Sequence, residues 1–336
     1  MRPRLSALNL LVAAVGAALL VFTVRRVGWS DVLAGIASVG WAFLVILILG
    51  ASRMALRARA WMACAEEPGA KRQVPGGSPQ PAARSLSFRA AFGAMMAADA
   101  LGNLTPLGLL ASEPTKVMMA RTRVSTVISI ASVTIENAFY TVSVAVVLLT
   151  GTWFFFQRAN VPPMLEYFAE AIVVGALIGG ITFLWAARTR PAVLSRLAPI
   201  LTKLAGKAEA PAEALREVES RIYGVLQWPV ARLARVGAWE VAFHVAAVAE
   251  VWIVLRLLPG GEGTTLVDAF LMESAGRFVT VAFKFIPYRL GVDEAGSGAV
   301  AQMLGFGPVT GVTLALVRRI RILCLNVFGL IQLART

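Results

Sequence analysis

The sequence predicts an all-α polytopic membrane protein: about six full transmembrane helices plus two re-entrant helical hairpins, related as an inverted-topology repeat. Three observations carry this. Hydrophobic residues make up 58% of the 336 and charged residues 15%, against about 25% charged in a soluble domain; the mean hydropathy is +0.72. Several apolar runs reach the roughly 20 residues that a bilayer crossing needs. Two apolar stretches are broken in matching ways. The first reads Gly102-Asn103-Leu104-Thr105-Pro106-Leu107-Gly108, then Ser112-Glu113-Pro114. The second reads Phe285-Ile286-Pro287-Tyr288-Arg289-Leu290-Gly291, then Val292-Asp293-Glu294. In each, a proline precedes a glutamate by seven positions, Pro106 to Glu113 and Pro287 to Glu294. Paired interrupted segments in corresponding halves point to a transporter's binding site.

Charge sets the expected orientation. The net charge is +13, but its distribution excludes nucleic acid as the partner. Residues 53–89 hold seven Lys/Arg against two Glu, and residues 188–235 hold nine against four. Residues 152–170 hold one Arg against two Glu. This is the positive-inside distribution of a membrane protein. Both termini are therefore expected in the cytoplasm of a bacterial inner membrane. Leu5 to Val24 crosses outward as a retained helix, because Arg25-Arg26 follows it and no small-x-small cleavage site stands there. Val32 to Ser52 returns, and loop 53–89 is cytoplasmic with a turn-rich middle at Pro75 to Pro81. Both flanks of segment 90–112 are basic, so it dips in and comes back. Val124 to Thr150 then crosses outward and closes a first repeat, 1–151. In the second repeat, 152–336, Ala171 to Ala187 goes in. Loop 188–237 is cytoplasmic, with Leu194, Leu197, Leu201 and Leu204 on an amphipathic stretch that lies on headgroups or packs on the protein. Trp239 to Leu258 goes out, segment 264–306 dips in from outside, and Pro308 to Leu333 returns. Three crossings per half invert the second half. Glu136 lies 23 residues after Glu113, and Arg318 and Arg319 lie 24 and 25 after Glu294, a second shared offset.

Ionisable residues inside these spans cost roughly 2.5–3.5 kcal/mol each, and there are many: Asp99, Glu113, Glu136, Glu250, Glu273 and Arg277 among them. They are expected to face a bundle interior or a wet cavity. Ser112-Glu113-Pro114 reads as a helix start with serine as cap, whose free N–H groups suit a phosphate. The candidate headgroup-binding set is Asn103, Pro106, Glu113 and Lys116 from the first half with Arg289, Glu294, Arg318 and Arg319 from the second. The alternative is that Glu113 and Glu294 pair with the basic residues and bind nothing. Arg318, Arg319 and Arg321 either hold a lipid phosphate or neutralise Glu294. Glu240 and His244, four apart on one helix face, form a possible proton relay; a structural histidine is the plainer reading. Glu273 and Arg277 read as an internal ion pair. No metal site or cofactor is expected, and soluble enzyme chemistry is excluded: Cys64 and Cys324 match no metal spacing, and one histidine assembles no Ser-His-Asp set. The eight tryptophans, Trp29, Trp41, Trp153 and Trp228 among them, suit a membrane aromatic belt.

The run Gly102 to Pro106 with Glu113-Pro114 and Lys116, Arg121 to Ser125 and a helix with Glu136, resembles the lysylphosphatidylglycerol synthase transmembrane region, a flippase-like family. Pro287 through Gly291-Val292 and Glu294, then Gly305, Arg318 and Arg319, is similar to that family's C-terminal signature. The Gly102–Gly108 run with Ser112-Glu113-Pro114 is most similar to members associated with hopanoid biosynthesis. The resemblance implies an inner-membrane protein that moves a phospholipid or other polar lipid between leaflets without ATP. Two alternatives accompany it: an enzyme or accessory subunit of lipid modification, and a lipid-binding scaffold. Members that make lysyl-lipids carry a further soluble synthase domain, so aminoacyl transfer is not expected. The implied partners are membrane lipids with an anionic or polar headgroup; oligomerisation is left open. The family often has arginine beside the first-half glutamate, where Asn137 follows Glu136 here, which puts a role for Glu136 in doubt.

Overall fold

The computed structural model describes residues 21–26, 28–66, 85–105, 108–121, 123–158, 212–283 and 286–335, with isolated positions between 167 and 196. Among these the chain is all-helical. After a helical stretch over 21–26, α1 (Trp29–Val39) turns through a short 3-10 segment at Gly40–Ala42 into α2 (Phe43–Ala65). Then come α3 (Phe88–Leu104), α4 (Leu109–Ala120) and α5 (Thr126–Arg158). In the second half lie α6 (Ala212–Tyr223), α7 (Val230–Leu257), α8 (Leu266–Ala282), α9 (Val292–Met303) and α10 (Pro308–Ala334). Among the described residues, three stretches are long and apolar enough to cross a membrane: Trp29–Ala65, Thr126–Arg158 and Val230–Leu257. The expected crossings Leu5–Val24 and Ala171–Ala187, and the amphipathic stretch Leu194–Leu204, lie wholly or largely outside the described residues.

The helix starts follow local chemistry. Ser87 caps α3, its hydroxyl accepting from the Ala90 N–H at 3.4 Å. Thr265 and Asp268 form a capping box at the head of α8. Pro308 occupies the first turn of α10, where its missing N–H costs nothing. The lengths repeat: α3 and α8 have 17 residues each, and α4 and α9 have 12 each. So does the packing. α3 of the first half lies against α10 of the second, α8 of the second lies against α5 of the first, and α2 packs along α7. Val251, Val254 and Leu255 of α7, Met272 of α8 and Leu314 of α10 build the largest apolar cluster, with Ile46 of α2. Of the four tryptophans expected in an aromatic belt, Trp29, Trp41 and Trp153 point outward, 62–80% exposed, whereas Trp228 packs on the apolar cluster at the end of α2, under the Arg232 guanidinium.

Three boundaries differ from the sequence expectation. Loop 53–89 begins only at Glu66, because Met54-Ala55-Leu56-Arg57-Ala58-Arg59-Ala60 is an unbroken run of strong helix formers. Arg53 and Arg57 are therefore helical and turned inward, so part of the basic charge assigned to that loop belongs to the interior. Likewise α7 begins at Val230, inside the expected loop 188–237. Arg232 on its first turns donates to the carbonyls of Ala63, Cys64 and Glu66, at 3.0, 3.2 and 2.7 Å. It thereby satisfies the free C-terminal carbonyls of α2. Third, α4 starts at Leu109, so Ser112 caps nothing and Pro114 lies inside the helix. The Ser112 hydroxyl instead donates to Glu113 Oε1 at 3.1 Å.

The α3–α10 contact depends on small residues, as helix contacts in membranes commonly do. A methyl group on Gly329 would lie 2.7 Å from the Met96 carbonyl carbon and 3.0 Å from the Ala100 methyl. Gly329→Ala is expected to push α10 off α3 and to lower stability by about 1–3 kcal/mol, read as a lower melting temperature in detergent.

Candidate functional site

At the first break α3 ends and α4 starts with their backbones nearly touching. A Cβ on Gly108 would sit 2.9 Å from the Gly102 carbonyl carbon, so glycine is what permits the approach. Asn103 donates through Nδ2 to Asp99 Oδ2 at 3.0 Å and to Asn326 Oδ1 of α10 at 3.5 Å. One turn into α4, Glu113 accepts from Asn137 Nδ2 at 2.5 Å and from Lys116 Nζ at 2.9 Å. Lys116, 3% exposed, lies 3.6 Å from Glu136 Oε2, and Arg57 donates to Glu136 Oε1 at 2.6–2.8 Å. Glu136 is fully buried. The partner that its own helix lacks comes from α2 and α4.

The second break carries backbone strain. Tyr288 and Arg289 have φ of 52° and 47°, where non-glycine residues are uncommon and cost on the order of 1–3 kcal/mol. Arg289 Nε reaches Asp293 Oδ1 and Oδ2 at 3.1 and 3.2 Å. Glu294, also fully buried, receives Arg319 at 2.6 Å, and Arg319 Nη2 donates to the Arg289 carbonyl at 3.4 Å. Asn326, which meets Asn103, also donates to the Tyr288 hydroxyl at 3.4 Å. One α10 asparagine thus joins the two breaks.

Between the breaks lies a charged core. Glu250 of α7 accepts from Arg53 at 3.1 Å and from Arg321, with Arg318 at 3.7 Å. Glu273 of α8 holds Arg277 at 2.6 Å and Arg318 at 2.7 Å. Arg277 donates onward to the Tyr140 hydroxyl at 3.1 Å. The Arg57 guanidinium lies 4.1 Å from the centre of the Tyr140 ring, and Arg53 lies 4.7 Å from that of Phe243, within cation–π range.

These groups surround a cavity of about 420 Å³ lined by eight basic and four acidic side chains. Three further carboxylates, Glu136, Glu250 and Glu294, sit behind the lining with no exposed surface. They hold the guanidiniums from the rear. A guanidinium has five N–H donors, so one braced in this way keeps donors for an anion in the cavity. Arg277 Nε, Arg319 Nη1, Arg53 Nε and Arg321 Nε lack a hydrogen-bond partner among the described residues, but they have almost no accessible surface, so the donors that meet a ligand are the other guanidinium N–H groups. The arrangement suits an anion with several oxygen acceptors.

Of the residues singled out in the sequence, Asn103, Glu113, Lys116, Arg289, Arg318 and Arg319 line this cavity. Glu294 stands behind it, and Pro106 lies outside the described residues. The basic residues of α10 neutralise carboxylates, but three different ones: Glu273, Glu294 and Glu250. Glu240 and His244 are set apart from the lining, and no hydrogen bond joins them. His244 shares a hydrogen bond with Ser143 Oγ at 3.0 Å and stacks on Tyr140. Neither Glu240 oxygen has a hydrogen-bond partner among the described residues. Sequence reasoning missed Arg53, Arg57, Asn137 and Tyr140. For the two arginines a signal existed: they are four apart, on one face of a run with no breaker.

The family model for the lysylphosphatidylglycerol synthase TM region matches residues 7–329. The chain belongs to this family. No curated protein and no solved structure matches it significantly. The lysylphosphatidylglycerol synthase TM region match spans both breaks and all cavity-lining residues, and it supports a membrane protein linked to lipid metabolism or translocation.

Proposed function

We propose that this protein is a lipid translocase of the inner membrane. It moves a phospholipid or other polar anionic lipid between leaflets, without ATP and without chemical modification of the lipid. The observation that carries this reading is the cavity: about 420 Å³, with eight basic and four acidic side chains, at two helix breaks. Its volume is that of a small-ligand site, about 300–1,000 Å³, enough for a headgroup while the acyl chains stay in the bilayer. Arg289, Arg318 and Arg319 with Lys116 and Asn103 contact the headgroup; Glu113 and Glu294 set their positions. On the Gly102–Gly108 run, we relate the chain most closely to the hopanoid-associated members of the family.

The two breaks are read as re-entrant hairpins of an inverted repeat that enter from opposite faces. The equal helix lengths and the reciprocal packing of α3 on α10 and α8 on α5 support this. Alternating access then has two equivalent halves to rock against each other. With Leu104→Cys and Tyr288→Cys, the two thiols are expected to label from opposite sides; labelling from one side contradicts the repeat.

Translocation is tested in liposomes with an acyl-labelled fluorescent phosphatidylglycerol. The reconstituted protein is expected to expose inner-leaflet probe faster than protein-free vesicles do. Arg289→Gln is expected to weaken the effect by about tenfold, the loss of one charge-assisted hydrogen-bond set. No acceleration over empty vesicles, across several headgroups and with or without a pH gradient, overturns the reading.

A further inference from the structure

Beside the cavity, α7 buries a carboxyl that no described residue hydrogen-bonds. Glu240 is 2% exposed, and both its oxygens lack a hydrogen-bond partner among the described residues. The other buried carboxylates of the cluster, Glu136, Glu250, Glu273 and Glu294, are each bonded to a cation. An ionisable residue at membrane depth is a functional candidate by default. One without a partner is well suited to take up a proton and release it.

The charges around the cavity give that proton a role. Against eight basic side chains of the lining stand the four acidic ones and the three buried behind, Glu136, Glu250 and Glu294. Eight against seven leaves one positive charge when Glu240 is protonated and none when it is ionised. A phosphodiester carries a single negative charge at neutral pH. It matches the first state. In the second it would bring an uncompensated charge into a site of low dielectric, which is costly.

The neighbours of Glu240 allow the exchange. Arg57 and Cys64 of α2, Glu136 of α5 and Lys116 of α4 lie near enough to interact with it electrostatically. Without an anion, Arg57 and Lys116 can stabilise an ionised Glu240 through the field; with one, they are drawn to the ligand. On α7 itself, His244 is one turn away and tied to Ser143. α8 brings Arg277, held by Glu273 and Tyr140. α10 brings Arg318 and Arg321 at Glu250, ten residues or about 15 Å further along α7. α1 contributes only Asp31, at its exposed first turn.

We propose that Glu240 takes up a proton when the cavity takes up a phosphodiester headgroup, so that anionic lipid and proton move together. This rests on the headgroup reading above. The test is calorimetric titration of the detergent-solubilised full chain with a short-chain phosphatidylglycerol, in two buffers of different ionisation enthalpy at pH about 8, where uptake of about one proton per ligand is expected. Affinity is expected to weaken by up to about tenfold per unit rise in pH. Glu240→Gln, neutral and of the same shape, is expected to bind with neither proton uptake nor pH dependence. Binding without proton uptake, or uptake unchanged in Glu240→Gln, overturns the coupling and leaves the headgroup site intact. So does uptake lost in His244→Gln instead. No binding by the wild type at any pH overturns both. Should Glu240→Gln not fold, infrared difference spectra of the wild type decide: a protonated-carboxyl band must rise on ligand addition, and its absence contradicts the proposal.

Discussion

Glu250→Gln is expected to destabilise the protein by about 3–5 kcal/mol, the cost of stranding buried charges. The carboxylate has no exposed surface, and three arginines converge on it from two helices. Arg53 comes from α2, and Arg318 and Arg321 from α10. With an amide in its place, Arg53 and Arg321 lose the carboxylate to which each donates, and at 6% exposure each they have little solvent to replace it. Because Glu250 is on α7, the loss also loosens the contact between α7 and both α2 and α10. The measurement is thermal unfolding in detergent, with gel filtration to show the fraction folded. A melting temperature equal to that of the wild type contradicts a structural role for Glu250 in holding these arginines.

The second large effect separates stability from function. Among the described residues, Arg57→Met leaves Glu136 with Lys116, at 3.6 Å, and Glu136→Leu leaves Arg57 with the Asn137 side chain, at 3.3 Å. Each single change is expected to cost about 3–5 kcal/mol, while the double change, an apolar pair of similar volume, recovers most of that. Lys116 keeps Glu113 throughout. Translocation is expected to stay low in the double variant, because Arg57 lines the cavity and its charge is not restored. A double variant with both stability and transport restored would make this pair a brace only. One with neither restored would mean that the pair is not independent of the rest of the cluster.

Much of the fold was legible in the sequence because hydropathy and helix breakers act locally. The two breaks, the internal Glu273–Arg277 pair and the long apolar helices follow from composition and spacing alone. The ends of α2 and α7 did not. Arginines that follow an apolar run read as loop charge, since in a membrane protein they usually are; helix propensity and buried carboxylate partners carry both helices further. Which arginine meets which glutamate was equally hidden. Arg53 and Glu250 are 197 residues apart, and Arg57 and Glu136 are 79 apart, and no local rule relates them. Asn137 shows the limit most clearly. Beside Glu136 it looked like a missing arginine, yet it bonds Glu113, and the arginine that serves Glu136 comes from another helix.

The most direct test of the central claim, that the cavity between the breaks receives a lipid headgroup, is photo-crosslinking with two versions of one phosphatidylglycerol. One carries the reactive group on the headgroup and the other at the end of an acyl chain, and mass spectrometry maps the adducts. The headgroup probe is expected to label cavity residues such as Thr141, Tyr288 and Ser297. The chain probe is expected to label outward apolar residues such as Val142, Val146 and Val245. Headgroup labelling confined to the outer surface, or the same map from both probes, would contradict the account.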